Sequence, residues 1–361
     1  MSEDLGSYKK LFPISIEPKF DLTSIGIEDI RKEVQSLNGI ENKTGFFIVK
    51  TANQWIEEAK NRPTPKMLFS QFWYEGEICI LFADTNLGKS ILAVQIGNSI
   101  SRAENITGFN LETPKQSILY FDFELSDKQF QNRYSKEYTE NYVFDDNFLR
   151  IEINPDLDLP ENQNFDDYLI NSIEQSITQT GSKTLIIDNI TYLKSDNEKA
   201  KEALPLMKKL KELKNRYSLS ILILAHTPKR DLSKPITRND LQGSKMLMNF
   251  CDSSFTIGES QQDKQIRYLK QIKQRNCEQV FDAENICVCQ INKEHNFLQF
   301  EFLQFGNESE HLRQRTDKDK DNQTEDILRL KGEGKALREI GKELGISHQT
   351  VKRILDKQSN V

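Results

Sequence analysis

The stretch "EICILFADTNLGKSILAVQIGNSI", residues 77–100, reads as a buried strand, a tight loop and a helix. The run Ile78–Phe82 is apolar throughout, as a strand covered on both faces requires. Between strand and helix, Ala83, Asp84, Thr85, Asn86, Leu87, Gly88, Lys89 and Ser90 form the pattern A-x-x-x-x-G-K-S. A loop of this pattern, set between a strand and a helix, cradles phosphate groups. Its backbone N–H groups and the positive end of the helix face the anion. Gly88 allows close approach of the backbone, Lys89 is expected to reach the β- and γ-phosphates of ATP, and Ser90 to bind Mg²⁺. Ala83 stands where such loops usually begin with glycine, and is small enough to serve.

Outward from the loop, short apolar runs alternate with helical stretches from Gly76 to about Phe305. The runs are Ile78–Phe82, Ile118–Phe123, Thr184–Ile187 and Ile221–Ala225. This alternation predicts an α/β fold with a mainly parallel sheet. Beyond Cys251, "SSFTIGES", "IRYLKQIKQRN", "ICVCQINKE" and "FLQFEFLQF" read as an antiparallel extension of that sheet. Ahead of the core, "IVKTANQWIEEAKNRP" from Ile48 reads as a short strand and then a helix, which Thr51 could cap.

Ligands of open α/β sheets bind at the carboxyl ends of the strands, so strand-end residues are the candidates. "TLIIDN" ends in Asp188, placed to hold Mg²⁺. "ILYFDFELSDKQFQNR" offers Glu124, a candidate to orient the attacking water, with Asp122 two residues earlier on the same face. The same position also suits a residue that merely caps the turn. "LSILILAHTPKR" ends at His226, which either senses the γ-phosphate or is an ordinary strand-end histidine. Lys273 and Arg275 in "LKQIKQRNCE" share one side of an extended chain.

The chain of 361 residues has a net charge of −6, so any contact with nucleic acid must be local. Its five cysteines show no paired C-x-x-C spacing and are read as free thiols of a cytoplasmic protein. No apolar run approaches the roughly 18 residues of a membrane span, so no membrane partner is expected.

Taken in order, A-x4-G-K-S, "FELS", "LIIDN", "LAHT" and "KQRN" resemble the RecA-like ATPases of the hexameric helicase type. That group includes the replicative DnaB helicases and the plasmid RepA-type helicases. The resemblance covers roughly residues 46–305. It implies a three-layer αβα sandwich and an ATPase with Glu124 as the catalytic glutamate. It also implies that Lys273 and Arg275 serve a neighbouring subunit's γ-phosphate, and hence a homo-oligomer, expected to be a hexamer. His226 matches the sensor of the plasmid type. The family's DNA-contacting loop corresponds to "HTPKRDLSKPITRNDLQGSK", where Lys229, Arg230, Lys234, Arg238 and Lys245 outnumber Asp231 and Asp240. That excess could hold single-stranded DNA in a ring channel, although a solvated loop would look the same. No N-terminal helical collar of the replicative type is evident.

At the other end, "GKALREIGKELGISHQTVKRILDK", residues 334–357, resembles a helix-turn-helix. One helix is expected from Leu337 to Leu344, a turn at Gly345, and a second helix from His348 to about Leu355, capped by Ser347. Ile340, Leu344, Ile346, Val351, Ile354 and Leu355 would form its core with Ile327 and Leu330. His348, Gln349, Thr350, Lys352 and Arg353 would then face duplex DNA. The expected domains are an N-terminal arm (1–45), a RecA-like ATPase domain (46–306), a charged flexible linker (307–323) and a helix-turn-helix domain (324–361). The leading expectation is a Mg-ATP-dependent, helicase-like ATPase acting on DNA for a plasmid or other mobile element. The alternatives are an ATP-gated DNA-binding regulator that hydrolyses slowly and does not unwind, and a partner-loading ATPase whose C-terminal module docks a protein.

Overall fold

The computed structural model describes residues 47–154, 156, 165–189, 203–228, 230–241, 244–314, 317–344 and 346–358. The expected N-terminal arm lies outside these residues. The chain divides into two compact units, Met1–Thr64 and Pro65–Val361. In the first, helix α1 (Ala52–Lys60) starts at a capping box in which Thr51 and Gln54 satisfy each other's backbone N–H groups. The strand expected at Ile48 is not formed: residues 48–50 belong to no strand or helix.

In the second unit, a hairpin of β1 (Met67–Phe69) and β2 (Trp73–Tyr74) leads into β3 (Ile78–Ala83), and the phosphate-loop segment then leads into α2 (Lys89–Arg102). There follow β4 (Ile118–Asp122), α3 (Asp127–Arg133), the small pair β5 (Ser135–Lys136) and β6 (Glu140–Asn141), β7 (Phe148–Ile151) and α4 (Phe165–Thr180). The chain continues through β8 (Thr184–Asp188), α5 (Ala203–Tyr217), β9 (Ser220–His226) and α6 (Ser244–Phe250). Four strands then come close together: β10 (Ser253–Glu259), β11 (Ile266–Lys273), β12 (Ile286–Glu294) and β13 (Phe297–Gly306).

Among the described residues the main sheet has nine strands in the order β13-β12-β11-β10-β3-β9-β8-β4-β7. From β10 to β7 every neighbouring pair is parallel. The pairs β10–β11, β11–β12 and β12–β13 are antiparallel. The antiparallel extension therefore begins one strand later than expected, because "SSFTIGES" lies parallel to β3. Helices cover both faces, which explains the unbroken apolar runs. Cys79, Leu81 and Ala83 pack with α2, while Ile78, Ile80 and Phe82 pack with the layer that holds α4 and α5. The fold is a three-layer αβα sandwich with a mainly parallel sheet.

The segment expected to be a flexible linker is instead structured at both of its ends. In helix α7 (Glu308–His311) the end residues Glu308 and His311 are buried, Glu308 completely. Glu308 pairs with Lys270 and accepts the Ile236 N–H at 2.8 Å. A buried ion pair with a hydrogen-bonded backbone partner overrides the polar composition that suggested solvent. Helix α8 (Asp317–Gly332) already includes residues 317–323 of the supposed linker. It joins α9 (Leu337–Glu343) and α10 (His348–Gln358) around Ile327, Leu330, Ile340 and Val351. Gly341 brings α9 against the next turn: a Cβ there would sit 2.7 Å from the Ile346 carbonyl oxygen. Ser347 caps α10 by accepting the Thr350 N–H at 3.0 Å.

Candidate active site

The carboxyl ends of β3, β9, β8 and β4 place the strand-end candidates side by side. His226 lies opposite Ala83 in the parallel register, and Asp188 opposite Asp122. Gly88 precedes α2 in the left-handed region at φ 94°, which a side chain would strain. A Cβ there would also meet Ile291 and Phe300 of the β12–β13 hairpin at 2.9 Å. Glycine is thus required at that position by both torsion and space. The first N–H groups of α2 have no partners within the helix, so this end is suited to anions.

Lys89 is buried beneath the loop. Its ammonium donates to the carbonyls of Ala83 and Asp84, both at 3.0 Å, and lies 3.2 Å from His226 Nδ1. Burial lowers its pKa, and the carboxylates of Asp188, Glu124 and Asp84 oppose that shift. Its present acceptors are neutral carbonyls, so a phosphate would be a stronger one.

Asp188 is 1% exposed. Tyr120 donates its hydroxyl to Oδ2 at 2.8 Å. Oδ1 is buried with no hydrogen-bond partner among the described residues. Burial pushes the Asp188 pKa up to about 6, although hydrogen bonding from Ser90 and Tyr120 pulls it down. A buried carboxylate with one oxygen unfilled, beside a serine hydroxyl, fits the oxygen donor set of a hydrated Mg²⁺.

Glu124 occupies the turn after β4, and the structure separates its role from that of Asp122. Asp122 is enclosed, and its Oδ1 accepts the N–H groups of Glu124 at 3.2 Å and Leu125 at 3.0 Å. Arg150 on β7 braces the same turn through Asp122 at 2.9 Å, Asp127 at 2.8 Å and the Leu125 carbonyl at 2.6 Å. Asp122 thus holds the turn, while the Glu124 carboxylate enters the site. There it accepts from the Asn189 amide and lies 3.6 Å from His226 Nε2. The nearby His226 imidazole is the chief cause that holds its pKa below the ordinary carboxylate value. Asn189 also lies 3.0 Å from His226 Nε2. Sequence reasoning missed both Asn189 and Arg150. Asn189 was visible as the residue after Asp188; Arg150 had no signal, because it sits in a strand of mixed polarity.

The profile of the AAA domain family matches residues 48–231, more than half of the chain. The chain belongs to the AAA domain family. Among solved structures, a KaiC-like protein from the hyperthermophilic archaeon Pyrococcus horikoshii is similar over 63% of this chain and 90% of its own, at 13% identity and a TM-score of 0.41. No curated protein matches the sequence. The AAA domain assignment and the site geometry agree on a P-loop ATPase.

Lys273 and Arg275 stand apart from this ATPase site. Strand β11 runs against β10, so Lys273 lies opposite Ser254, at the start of the parallel strands. From Ile78 to the end of β3 is about 17 Å at the usual rise per residue. Arg275 is tied to Asp252, whose carboxylate accepts the Ile78 N–H at that far edge. Neither residue reaches its own chain's loop.

The basic-loop candidates are spread out. Lys229 lies outside the described residues, as does the Lys245 side chain. Arg230 is half-buried and donates to the Lys234 carbonyl at 2.9 Å. Lys234 lies 3.8 Å from Asp231, and Arg238 is exposed. On α10, His348, Gln349, Lys352 and Arg353 are exposed, and Thr350 is half-buried. Among the described residues no helix is long and apolar enough to cross a membrane.

Proposed function

We propose that this P-loop ATPase works as an oligomer on DNA, with ATP hydrolysis at sites shared between subunits, and that the C-terminal helices form a helix-turn-helix that holds duplex. ATP enters the loop of Asp84–Gly88, and Lys89 exchanges the carbonyls of Ala83 and Asp84 for the β- and γ-phosphates. Mg²⁺, held by Ser90 and through water by Asp188, would screen the phosphate charge. Glu124, kept ionised by its neighbours, orients a water for attack on the γ-phosphorus; the bond to the β,γ-bridging oxygen breaks, releasing ADP and phosphate. Arg275 of an adjacent subunit stabilises the charge of the transition state. His226 touches Lys89 on one side and Asn189 on the other, so movement of Lys89 onto phosphate alters the surroundings of Glu124.

The observation that supports the DNA reading is α10. Its exposed His348, Gln349, Lys352 and Arg353 are residue types that read base edges and phosphates. A helicase-like motor of the hexameric type, serving a plasmid or other mobile element, is the finer form of this proposal. A second reading, the ATP-gated DNA-binding regulator, is favoured by the loop after His226, where Arg230 and Lys234 are engaged within the loop itself. Steady-state ATP hydrolysis measured alone, with single-stranded DNA and with duplex DNA separates the two. A severalfold rise with single strands, lost in Lys89→Ala and in Arg275→Ala, supports the motor. A slow rate indifferent to any DNA refutes it. Failure of Lys352→Glu with Arg353→Glu to weaken duplex binding would remove α10 from the account.

A further inference from the structure

The edge of the sheet opposite the ATP site carries a built arrangement around Arg275. Its guanidinium is half exposed, and Nη1 lies 3.2 Å from Asp252 Oδ1. Asp252 is itself firmly held. Its Oδ2 accepts from Lys214 at 2.8 Å and from the Ile78 N–H at 3.0 Å, and its own N–H donates to the Ile78 carbonyl at 2.8 Å. Lys273 fixes the corner from which Asp252 projects, donating to the carbonyls of Met248 at 2.5 Å and Cys251 at 2.7 Å. The two basic residues of "KQRN" are therefore not equivalent: Lys273 is committed to backbone, and Arg275 to one carboxylate at the surface.

We infer that Asp252 is a positioning residue for Arg275, presenting the guanidinium at the subunit edge for delivery to a γ-phosphate bound by a second copy of this chain. The inference rests on the shared-site reading. A single contact at a half-exposed arginine is weak, so a phosphate with more charge displaces it. Release leaves no stranded charge, because Lys214 still neutralises Asp252. Until release, the contact limits the rotamers of a flexible side chain, so less freedom is lost when Arg275 reaches the phosphate.

Mixed oligomers test this. A donor subunit carries Lys89→Ala, with a disabled site and an intact arginine. An acceptor carries Arg275→Ala, with an intact site and no arginine. Each alone is expected to be nearly inactive, and the mixture is expected to recover hydrolysis. Asp252→Asn, which keeps an acceptor for the Ile78 N–H, is then placed in one partner at a time. In the donor it is expected to lower the recovered kcat about five- to tenfold with little change in KM for ATP. In the acceptor, whose own arginine is gone, it has nothing to position, and the recovered rate is expected within about twofold of the control. Equal losses from both placements, or no loss from the donor, overturn the inference. Thermal melts of each Asp252→Asn protein show whether a loss reflects unfolding. No recovery in the mixture with Asp252 intact overturns the shared-site reading, and the inference with it.

Discussion

Asp188→Asn should make the ligand-free protein more stable while ending hydrolysis. The wild-type carboxylate is enclosed, and one of its oxygens lacks a partner among the described residues. Its pKa stands at about 6, against an ordinary aspartate value of 3.8. That gap of about two units corresponds to roughly 3 kcal/mol. The sign follows from proton binding. Between about pH 4 and pH 6 the folded state holds a proton that the unfolded state has lost, so stability falls as pH rises through this window. The full penalty is present above pH 7. Asparagine carries no such charge, still accepts from Tyr120 and can donate to Ser90. The variant should therefore gain up to about 3 kcal/mol at pH 8, or about 6 °C in Tm, using roughly 2 °C per kcal/mol for a large domain. At pH 5 the gain should shrink to about half, because part of the wild-type population is already protonated. Melts in EDTA at both pH values measure this, and Mg-ADP should raise the Tm of the wild type but not of the variant. A variant less stable than wild type at pH 8, or a gap equal at the two pH values, would refute the view that burial of this charge is a standing cost retained for metal binding.

Glu124→Gln should keep ATP binding and lower kcat by about 10²–10⁴, measured by equilibrium nucleotide binding alongside turnover. Because the Glu124 pKa is held down, chiefly by the nearby His226, its carboxylate persists as pH falls; the acid limb of kcat/KM, which reports the nucleotide-free enzyme, should lie nearer the Asp188 value of about 6. Gly88→Ala should lose stability by about 1–2 kcal/mol from its positive φ alone, more from contact with Phe300, and weaken nucleotide binding, seen in melts with and without ADP. Glu308→Ala strands the Lys270 ammonium in the interior and should cost about 3–5 kcal/mol in urea unfolding. Gly341→Ala should open the C-terminal helices to limited proteolysis and abolish duplex binding, while basal ATP hydrolysis continues.

What the sequence revealed and concealed follows from where the determining contacts lie. The four parallel strands that end at site residues were legible because burial on both faces demands an unbroken apolar run. The C-terminal helices were legible because a small core leaves few choices: Ile340 and Val351 can be enclosed only with Ile327 and Leu330. Strand direction left no such mark. "SSFTIGES" has the same apolar character whether it runs with β3 or against it. β7 went unread because Arg150 interrupts "FLRI", and that arginine is tolerated only because Asp122 lies on the neighbouring strand. Glu308 was misread for the same reason: its counter-charge, Lys270, lies 38 residues earlier in the chain. A charge pattern reports solvent only when no distant partner exists, and pairing across strands is the information a linear reading lacks. The same holds for Arg275. Its sequence position identifies a strand end, but only the antiparallel turn of β11 puts that end across the sheet from the loop. That placement is why the catalytic part proposed for Arg275 requires a nucleotide held by a second copy of the chain.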